Sequence, residues 1–347
     1  MQMGARRTMK VKDLAEMLNL SPSTVSMVLN NKPGISKATK DKVLSAAKEL
    51  GGEDIISEGG GENILFVVYR KNGIAGASAP YFSQLFLEII EGVESQVKAR
   101  GYNLMISYMD ETSIIEEAEK INRRNIKGVL VLATEMKEEQ ITIFEKLDVP
   151  LLIMDNYIHD KELNCITINN DKGVYEAIKH FHEMGHKNIG YLHIGDNANN
   201  FMERYYSFYR EMKRFNLEVN PEHMIEISTE GGEAVYRELK QKLTKMKNFP
   251  TAFFADNDIV AMFAMRALRE MGLHIPEDVS IIGFDNMSLS EMLDTPLTTI
   301  QVQKTKMGVI AANTIIDLRE EIEGFVKIEV GAKLIKRSSV RDFMKDA

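Results

Sequence analysis

Residues 11–51 read VKDLAEMLNLSPSTVSMVLNNKPGISKATKDKVLSAAKELG. Val11, Leu14, Ala15 and Leu18 recur at helical spacing and define one apolar face. Ser21 offers the hydroxyl of an N-cap, and Pro22 has the fixed φ of a first helical position. A second helix is therefore expected from Ser21, with Val25, Val28 and Leu29 inward. Ser36 repeats the capping signal ahead of a third helix whose inward residues are Val43, Leu44, Ala47 and Leu50. Two helices joined by a turn of about three residues describe a helix-turn-helix, whose second helix lays its N-terminal side chains against base edges in the major groove. Ser23, Thr24, Ser26, Asn30 and Asn31 are small donors and acceptors suited to phosphates and bases. Thr39, Lys40 and Lys42 stand where the third helix can approach the nucleic-acid backbone. The plain alternative is a solvated three-helix bundle with serine caps.

Outward from this segment the charge changes sign. Residues 1–50 hold nine Lys/Arg against four Asp/Glu, whereas the whole chain of 347 residues holds 43 against 51. A small basic module on an acidic body fits a nucleic-acid headpiece whose body is repelled by phosphate. Residues 51–62, GGEDIISEGGGE, carry five glycines, four acids and no base, the composition of a flexible linker.

From Asn63 onward, short apolar strands alternate with amphipathic helices. The strands include ILFVV (64–68), GVLVL (128–132), PLLIM (150–154), NIGYLHI (188–194), TAFFA (251–255) and VSIIGF (279–284), with helices at 82–99, 171–184 and 257–271. This alternation implies an α/β fold of parallel sheets covered by helices, and the number of units points to two lobes. In such sheets ligands sit beyond the carboxyl ends of strands. Asp155 ends PLLIM, Asn257 and Asp258 follow TAFFA, Asp285 ends SIIGF, and Arg204 opens a helix after NIGYLHI. Each of these residues, taken alone, is as well explained by helix capping or a surface ion pair. Converging on one cleft, carboxylates and an arginine suit a neutral polyhydroxylated ligand, because a carboxylate accepts paired hydroxyl hydrogen bonds.

Other signals exclude function classes. No apolar run reaches the roughly 18 residues of a membrane span. Met1 to Thr8 lacks the apolar region of a secretory signal, so a cytoplasmic location is expected. The lone Cys165 rules out an intrachain disulfide and reads as a packing residue. His182-Glu183-Met184-Gly185-His186 spells a zinc-protease motif, but Gly185 falls where the helix should stop, so the two histidines would not share a face. Gly59-Gly60-Gly61 has no Lys-Ser/Thr after it and is no phosphate loop. No catalytic residue, metal ligand or cofactor is expected.

The pattern K-D-L-A, L-S-x-x-T-V-S-x-V-L-N, I-S-x-x-T and V-x-x-A-x-x-L-G in residues 12–51 resembles the headpiece of the LacI/GalR family of bacterial transcription regulators. The resemblance continues through 80–94, 169–192, 250–286 and 296–299 and covers nearly the whole chain. It implies a headpiece at 8–50, the linker at 51–62, and an effector and dimerisation domain at 63–347 with two Rossmann-like, periplasmic-binding-protein-like lobes. Those lobes would comprise roughly 63–160 plus 292–324, and 161–291 plus 325–347, with the chain crossing between them near 155–165, 286–296 and 320–326. It also implies base reading by Pro22, Ser23 and Met27, and effector contact by Asp155, Arg204, Asn257 and Asp285. Tyr81, Phe82 and Tyr157 are candidates to stack on an apolar sugar face. The implied partners are double-stranded operator DNA, a small-molecule effector such as a sugar, and a second copy in a homodimer or tetramer. The expected function is a repressor modulated by a sugar-like effector. The alternatives are a corepressor-type regulator responding to a purine or other metabolite, a solute-binding protein without a DNA role, and an enzyme, for which no acid/base pair or nucleophile is supplied.

Two departures from the family pattern carry consequences. The family often has arginine where Met27 stands, and Met27 cannot make the bidentate guanine contact that contributes about 1–3 kcal/mol of discrimination. The linker supplies neither the basic hinge helix nor the leucine wedge that kinks the minor groove. The protein is therefore expected to bind its operator without a sharp central kink. A circular-permutation gel assay checks this, and a strong bend at the operator centre would refute it.

Overall fold

The computed structural model describes residues 11–29, 34–49, 62–71, 79–121, 125–196, 198–228, 232–318 and 324–345. Of residues 11–13, 29, 47–49 and 79–85 it describes the backbone alone. The chain divides into two compact units, the first built mainly from residues before Ile64 and the second from the remainder.

The first unit holds α1 (Val11–Leu18), α2 (Pro22–Leu29) and α3 (Lys37–Glu49). The α1–α2 turn is short because Asn19 takes a left-handed φ of 54°, which asparagine tolerates, and the Leu20 N–H returns to the Ala15 carbonyl at 3.0 Å. Leu14, Ala15, Val25, Val28 and Val43 are buried and form the unit's core, with Leu18, Leu20, Ile35 and Ala46 packed against it. Leu44, expected inward, is 36% exposed. The side chains of Val11, Leu29, Ala47 and Leu50 lie outside the described residues.

The second unit begins with β1 (Asn63–Tyr69), α4 (Ala79–Ala99), β2 (Asn103–Met109), α5 (Ile114–Ile121), β3 (Ile126–Leu132), α6 (Glu138–Ile141), β4 (Leu151–Met154) and β5 (Cys165–Ile168). It continues with α7 (Asn170–Glu183), β6 (Ile189–Ile194), α8 (Asn199–Arg214), β7 (Met224–Ile227), α9 (Glu233–Lys245), β8 (Ala252–Ala255), α10 (Asp258–Glu270), β9 (Ser280–Phe284), α11 (Ser288–Glu291) and β10 (Thr298–Val302). It ends with α12 (Lys304–Asp317), β11 (Lys327–Val330) and β12 (Ala332–Ile335). Two six-stranded sheets result, ordered β11-β5-β4-β3-β1-β2 and β12-β10-β9-β8-β6-β7. The strands whose pairing is described run parallel, except that β12 lies antiparallel to β10. Strands such as β1, β8 and β9 are buried on both faces, which is why they read as continuous apolar runs rather than alternating ones. Among the described residues no helix is long and apolar enough to cross a membrane.

Sheet membership shows where the chain passes between lobes. The passages fall at Asn169, Gln303 and Gly331, each a single residue between two regular elements. This corrects the expected crossings near 155–165, 286–296 and 320–326. β5 and β11, expected in the second lobe, pair with each other in the first sheet, and β10, expected in the first, pairs with β9 in the second. Loops 155–164 and 285–297 look like crossovers in sequence because they are long and polar, yet they join neighbouring strands of one sheet.

The helix α12 returns to the first lobe and packs on α4, β3, β4 and β5. It does so at backbone range: a Cβ on Gly92 would lie 2.1 Å from the Thr305 carbonyl oxygen, and one on Gly308 2.1 Å from that of Ile89. Neither atom can rotate away. Gly92→Ala and Gly308→Ala should each force the helices apart and destabilise the fold by about 1–3 kcal/mol or more, the range of core overpacking. Chemical denaturation checks this, and unchanged stability would show that the helices do not touch at these positions.

Candidate functional site

The first unit presents a polar face at the start of α2. The Ser21 hydroxyl accepts the Thr24 N–H at 3.0 Å, and that of Ser36 accepts the Thr39 N–H at 3.2 Å, so both serines cap as expected. The hydroxyls of Thr24 and Thr39 lie 2.8 Å from the same two serine oxygens. Pro22 and Ser23 are exposed, Met27 is partly so, and Ser26 and Lys40 are half-buried. Asn30 lies outside the described residues.

In the second unit, the carboxyl ends of β4, β8 and β9 bring Asp155, Asp256 and Asp285 toward Arg204 of α8. All four are at least 97% buried. The Arg204 Nε donates to Asn170 Oδ1 at 2.9 Å, one terminal nitrogen donates to the Asp256 carbonyl, and the other lies 3.9 Å from Asp285 Oδ1. The guanidinium carbon sits 3.8 Å above the Phe284 ring centroid. Asp155 accepts from Thr134 Oγ1 at 2.7 Å and from Asn200 Nδ2 at 3.0 Å.

Two of these carboxylates stand on unusual backbone. Asp155 has φ 62° and Asp285 φ 105°, followed by Asn286 at 48°. Such conformations persist only where neighbours over-determine them. Here the Asp155 N–H is held by the Ile166 carbonyl and the Asp285 N–H by that of Ile300, both at 2.8 Å. The strand ladder thus turns each carboxylate out of its sheet.

The other expected residues are placed differently. Asn257 caps α10, its Oδ1 accepting the Val260 N–H at 2.9 Å. Asp258 binds the Met287 N–H at 2.7 Å and the hydroxyls of Ser290 and Thr299, which pins the β9–β10 loop. Lys327 Nζ lies 3.5 Å from the Tyr157 ring centroid, so a cation already faces the ring expected to stack on a ligand. Burial, then Glu203, pushes the Tyr157 phenol up to about 12. The side chains of Tyr81 and Phe82 lie outside the described residues. His182 packs on Phe215, while His186 meets Thr251 and the Arg341 carbonyl, and no group of three metal-capable side chains occurs among the described residues.

Sequence reading passed over Asn170, Asn199, Asn200, Glu203 and Thr134. Asn170 Nδ2 donates to Asn200 Oδ1 at 2.8 Å and to Glu203 Oε2 at 2.7 Å. The available signal was positional: Asn170 follows CITI and Thr134 follows GVLVL, so both stand just beyond a strand's carboxyl end.

Burial raises the carboxyl of Asp155 to about 6 and those of Asp256 and Asp258 to about 7. A carboxyl raised in the native state contributes stability that is complete below its unfolded value and is lost as pH rises through the native value. His180 and His186, lowered to about 4 chiefly by burial, act oppositely, losing their contribution as pH falls. Asp256→Asn removes the contribution of a single carboxyl. The stability difference between wild type and Asp256→Asn should therefore shift against the wild type from about pH 4 to about pH 7. Denaturation of both proteins across that range tests this, and a constant difference would contradict it.

Residues 10–51 match the profile described as bacterial regulatory proteins, lacI family, and residues 178–340 match that of a periplasmic binding protein-like domain. The chain is 31% identical over 343 residues to the HTH-type transcriptional repressor PurR of Haemophilus influenzae, covering 96% of this chain and 99% of that protein. It is 30% identical over 337 residues to the protein of the same name from Pasteurella multocida, covering 95% and 98%. Among solved structures, the lac repressor dimer bound to operator and the anti-inducer ONPF is similar with a TM-score of 0.74 at 20% identity, covering 96% of this chain and 100% of that one. The transcriptional regulator CelR in complex with cellobiose gives 0.69 at 21%, covering 95% and 99%. A regulator from Enterococcus faecium with bound ribose gives 0.65 at 21%, covering 80% and 99%. These structural likenesses establish the fold.

Proposed function

The chain belongs to the lacI family of bacterial regulatory proteins, and from that premise we propose that it is a repressor whose hold on operator DNA is set by a sugar-like effector between its two lobes. It is a DNA-binding transcription regulator and not an enzyme. The convergence of Asp155, Arg204 and Asp285 at the strand ends carries the effector reading. A carboxylate is an acceptor suited to paired hydroxyls, and a guanidinium is a donor suited to a ligand oxygen. Two solved relatives of the same fold are described with cellobiose and with ribose bound. The basic headpiece, with its capped α2 and exposed Pro22, Ser23 and Met27, supports reading of the operator.

A second reading, a purine or other metabolite acting as corepressor, has its own support. Asn170, Asn199 and Asn200 bring three amides into the same cleft, and an amide released from its present partner can present adjacent donor and acceptor to the edge of a nucleobase. The two readings differ in the sign of the ligand's effect on operator affinity.

Operators of this kind are read by paired headpieces, so a second copy is part of the proposal. The face of α10 and α11 suits it. Met262, Met265 and Leu293, with Arg266, Arg269 and Glu270, line a cavity of about 290 Å³ there, and Leu289 and Met292 are exposed.

A thermal-shift screen of sugars and nucleobases on the full chain tests the reading. At least one compound should raise the melting temperature. Asp155→Ala and Asp285→Ala should abolish that shift while leaving salt-dependent operator binding in place. A ligand that still shifts both variants would place its site elsewhere. A chain with no salt-dependent affinity for any genomic fragment would refute the repressor.

A further inference from the structure

We propose that the first turn of α8 is a strap between the lobes, in which Asn199 and Asn200 of the second lobe hold Asp155, Asn156 and the Tyr157 carbonyl of the first. An effector that engages Asp155 then competes with Asn200 for the same carboxylate. The inference rests on the cleft being the effector site.

Paired asparagines at the start of a helix ordinarily read as caps. Here they do not cap. The N-cap of α8 is Ala198, which makes no side-chain capping bond, and both amides reach across the cleft. Asn199 Nδ2 donates to Asn156 Oδ1 and to the Tyr157 carbonyl, each at 2.6 Å. Asn200 Nδ2 donates to Asp155 Oδ1 at 3.0 Å.

The acceptors and the donors are both held in place. Asn156 Nδ2 donates to the carbonyls of Ala133 and Met136 at 2.8 and 2.9 Å, which fixes its oxygen toward Asn199. Asn200 Oδ1 accepts from Asn170 Nδ2, which leaves its own amide nitrogen for Asp155. Asn170 in turn accepts from Arg204 and opens α7 just after the first passage between lobes. Asn169 at that passage donates its N–H to the Val330 carbonyl at 2.9 Å, beside the third passage. Asn200 is therefore connected both to the carboxylate expected to meet ligand and to the hinge.

Magnitudes favour these bonds over the ion pair between the lobes at the surface. Asp155, Asn156 and Asn200 are each at least 92% buried, where hydrogen bonds strengthen and an abandoned partner is costly. The Lys71–Asp196 pair spans the lobes at 3.9 Å, but its side chains are 47% and 31% exposed, so screening leaves it little weight. Asp155 receives Thr134 from its own lobe and Asn200 from the other. Of these two, the second breaks when the lobes separate, together with the bonds of Asn199.

The test exchanges the two groups. Asn200→Asp sets two carboxylates face to face, and Asp155→Asn added to it restores an amide–carboxylate pair with donor and acceptor interchanged. Nitroxides at Glu111→Cys and Arg237→Cys, in a Cys165→Ser background of the full chain, report the distance between lobes by double electron–electron resonance. The unsubstituted strap should give one narrow distribution, Asn200→Asp a longer and broader one, and the exchanged pair the narrow one again. A distribution unmoved by Asn200→Asp, or not restored by the exchange, overturns the proposal. Should Asn200→Asp fail to fold, Asn199→Ala serves in its place, with a broadened distribution expected and an unchanged one decisive against the strap. Operator affinity on the same samples separates the two readings, because its loss in the wild type defeats the repressor without altering these distances.

Discussion

A guanidinium almost wholly out of water governs the second unit. Removing such a charge from solvent is expensive unless its hydrogens are met and its charge is opposed. Arg204 meets both conditions with groups from separate parts of the chain: the amide of Asn170 at the start of α7, the carbonyl of Asp256 after β8, the carboxylate of Asp285 after β9, and the face of Phe284 within β9. Each partner is fixed by its own strand end or helix start. A shift of any one would leave part of the guanidinium unmet, so the second lobe presents its polar groups to the cleft as one rigid set.

The surrounding carboxylates follow from that constraint and from the left-handed turns that aim them. Asp155 and Asp285 each end a parallel strand, and each is turned out of its sheet by a backbone conformation that the neighbouring strand enforces. Asp256 and Asp258 serve the scaffold, the first receiving the Tyr191 hydroxyl and the Ile194 N–H, the second the loop after β9. Burial makes Asp155, Asp256 and Asp258 reluctant anions, so the proposed ligand, donating hydrogen bonds to Asp155, would meet an acceptor already desolvated. A site of this kind discriminates by the pattern of donors more than by charge.

Regulation requires that two arrangements differ in ligand affinity. The connections between the lobes suit such a difference. Three single residues, Asn169, Gln303 and Gly331, carry the chain from one sheet to the other, and a Cβ built on Gly331 would meet nothing within 4 Å. Against these narrow passages, α4 and α12 are locked together by glycines inside the first lobe, and α7 packs on α8 in the second. Stiff lobes on slender joints let changes at the cleft appear as relative lobe movement rather than internal distortion.

Local chemistry alone determined the headpiece. Caps at Ser21 and Ser36, the proline after the first, and apolar spacing fixed where its helices begin and which residues form its small core, because all of these act within one turn of helix. The parallel α/β class was equally legible, since strands buried on both faces must be apolar throughout. Leu44 and the passages between lobes were not, because exposure of one helix flank and the partner a strand chooses depend on what packs against them. Tertiary structure likewise divided the polar strand-end residues into roles. Asn257 became a cap and Asp258 a pin, while Asn199 and Asn200, which the sequence reading passed over, turned away from their own helix. An asparagine or aspartate satisfies a helix end and a distant carbonyl with the same atoms, and only the three-dimensional placement of the competing partners decides between them.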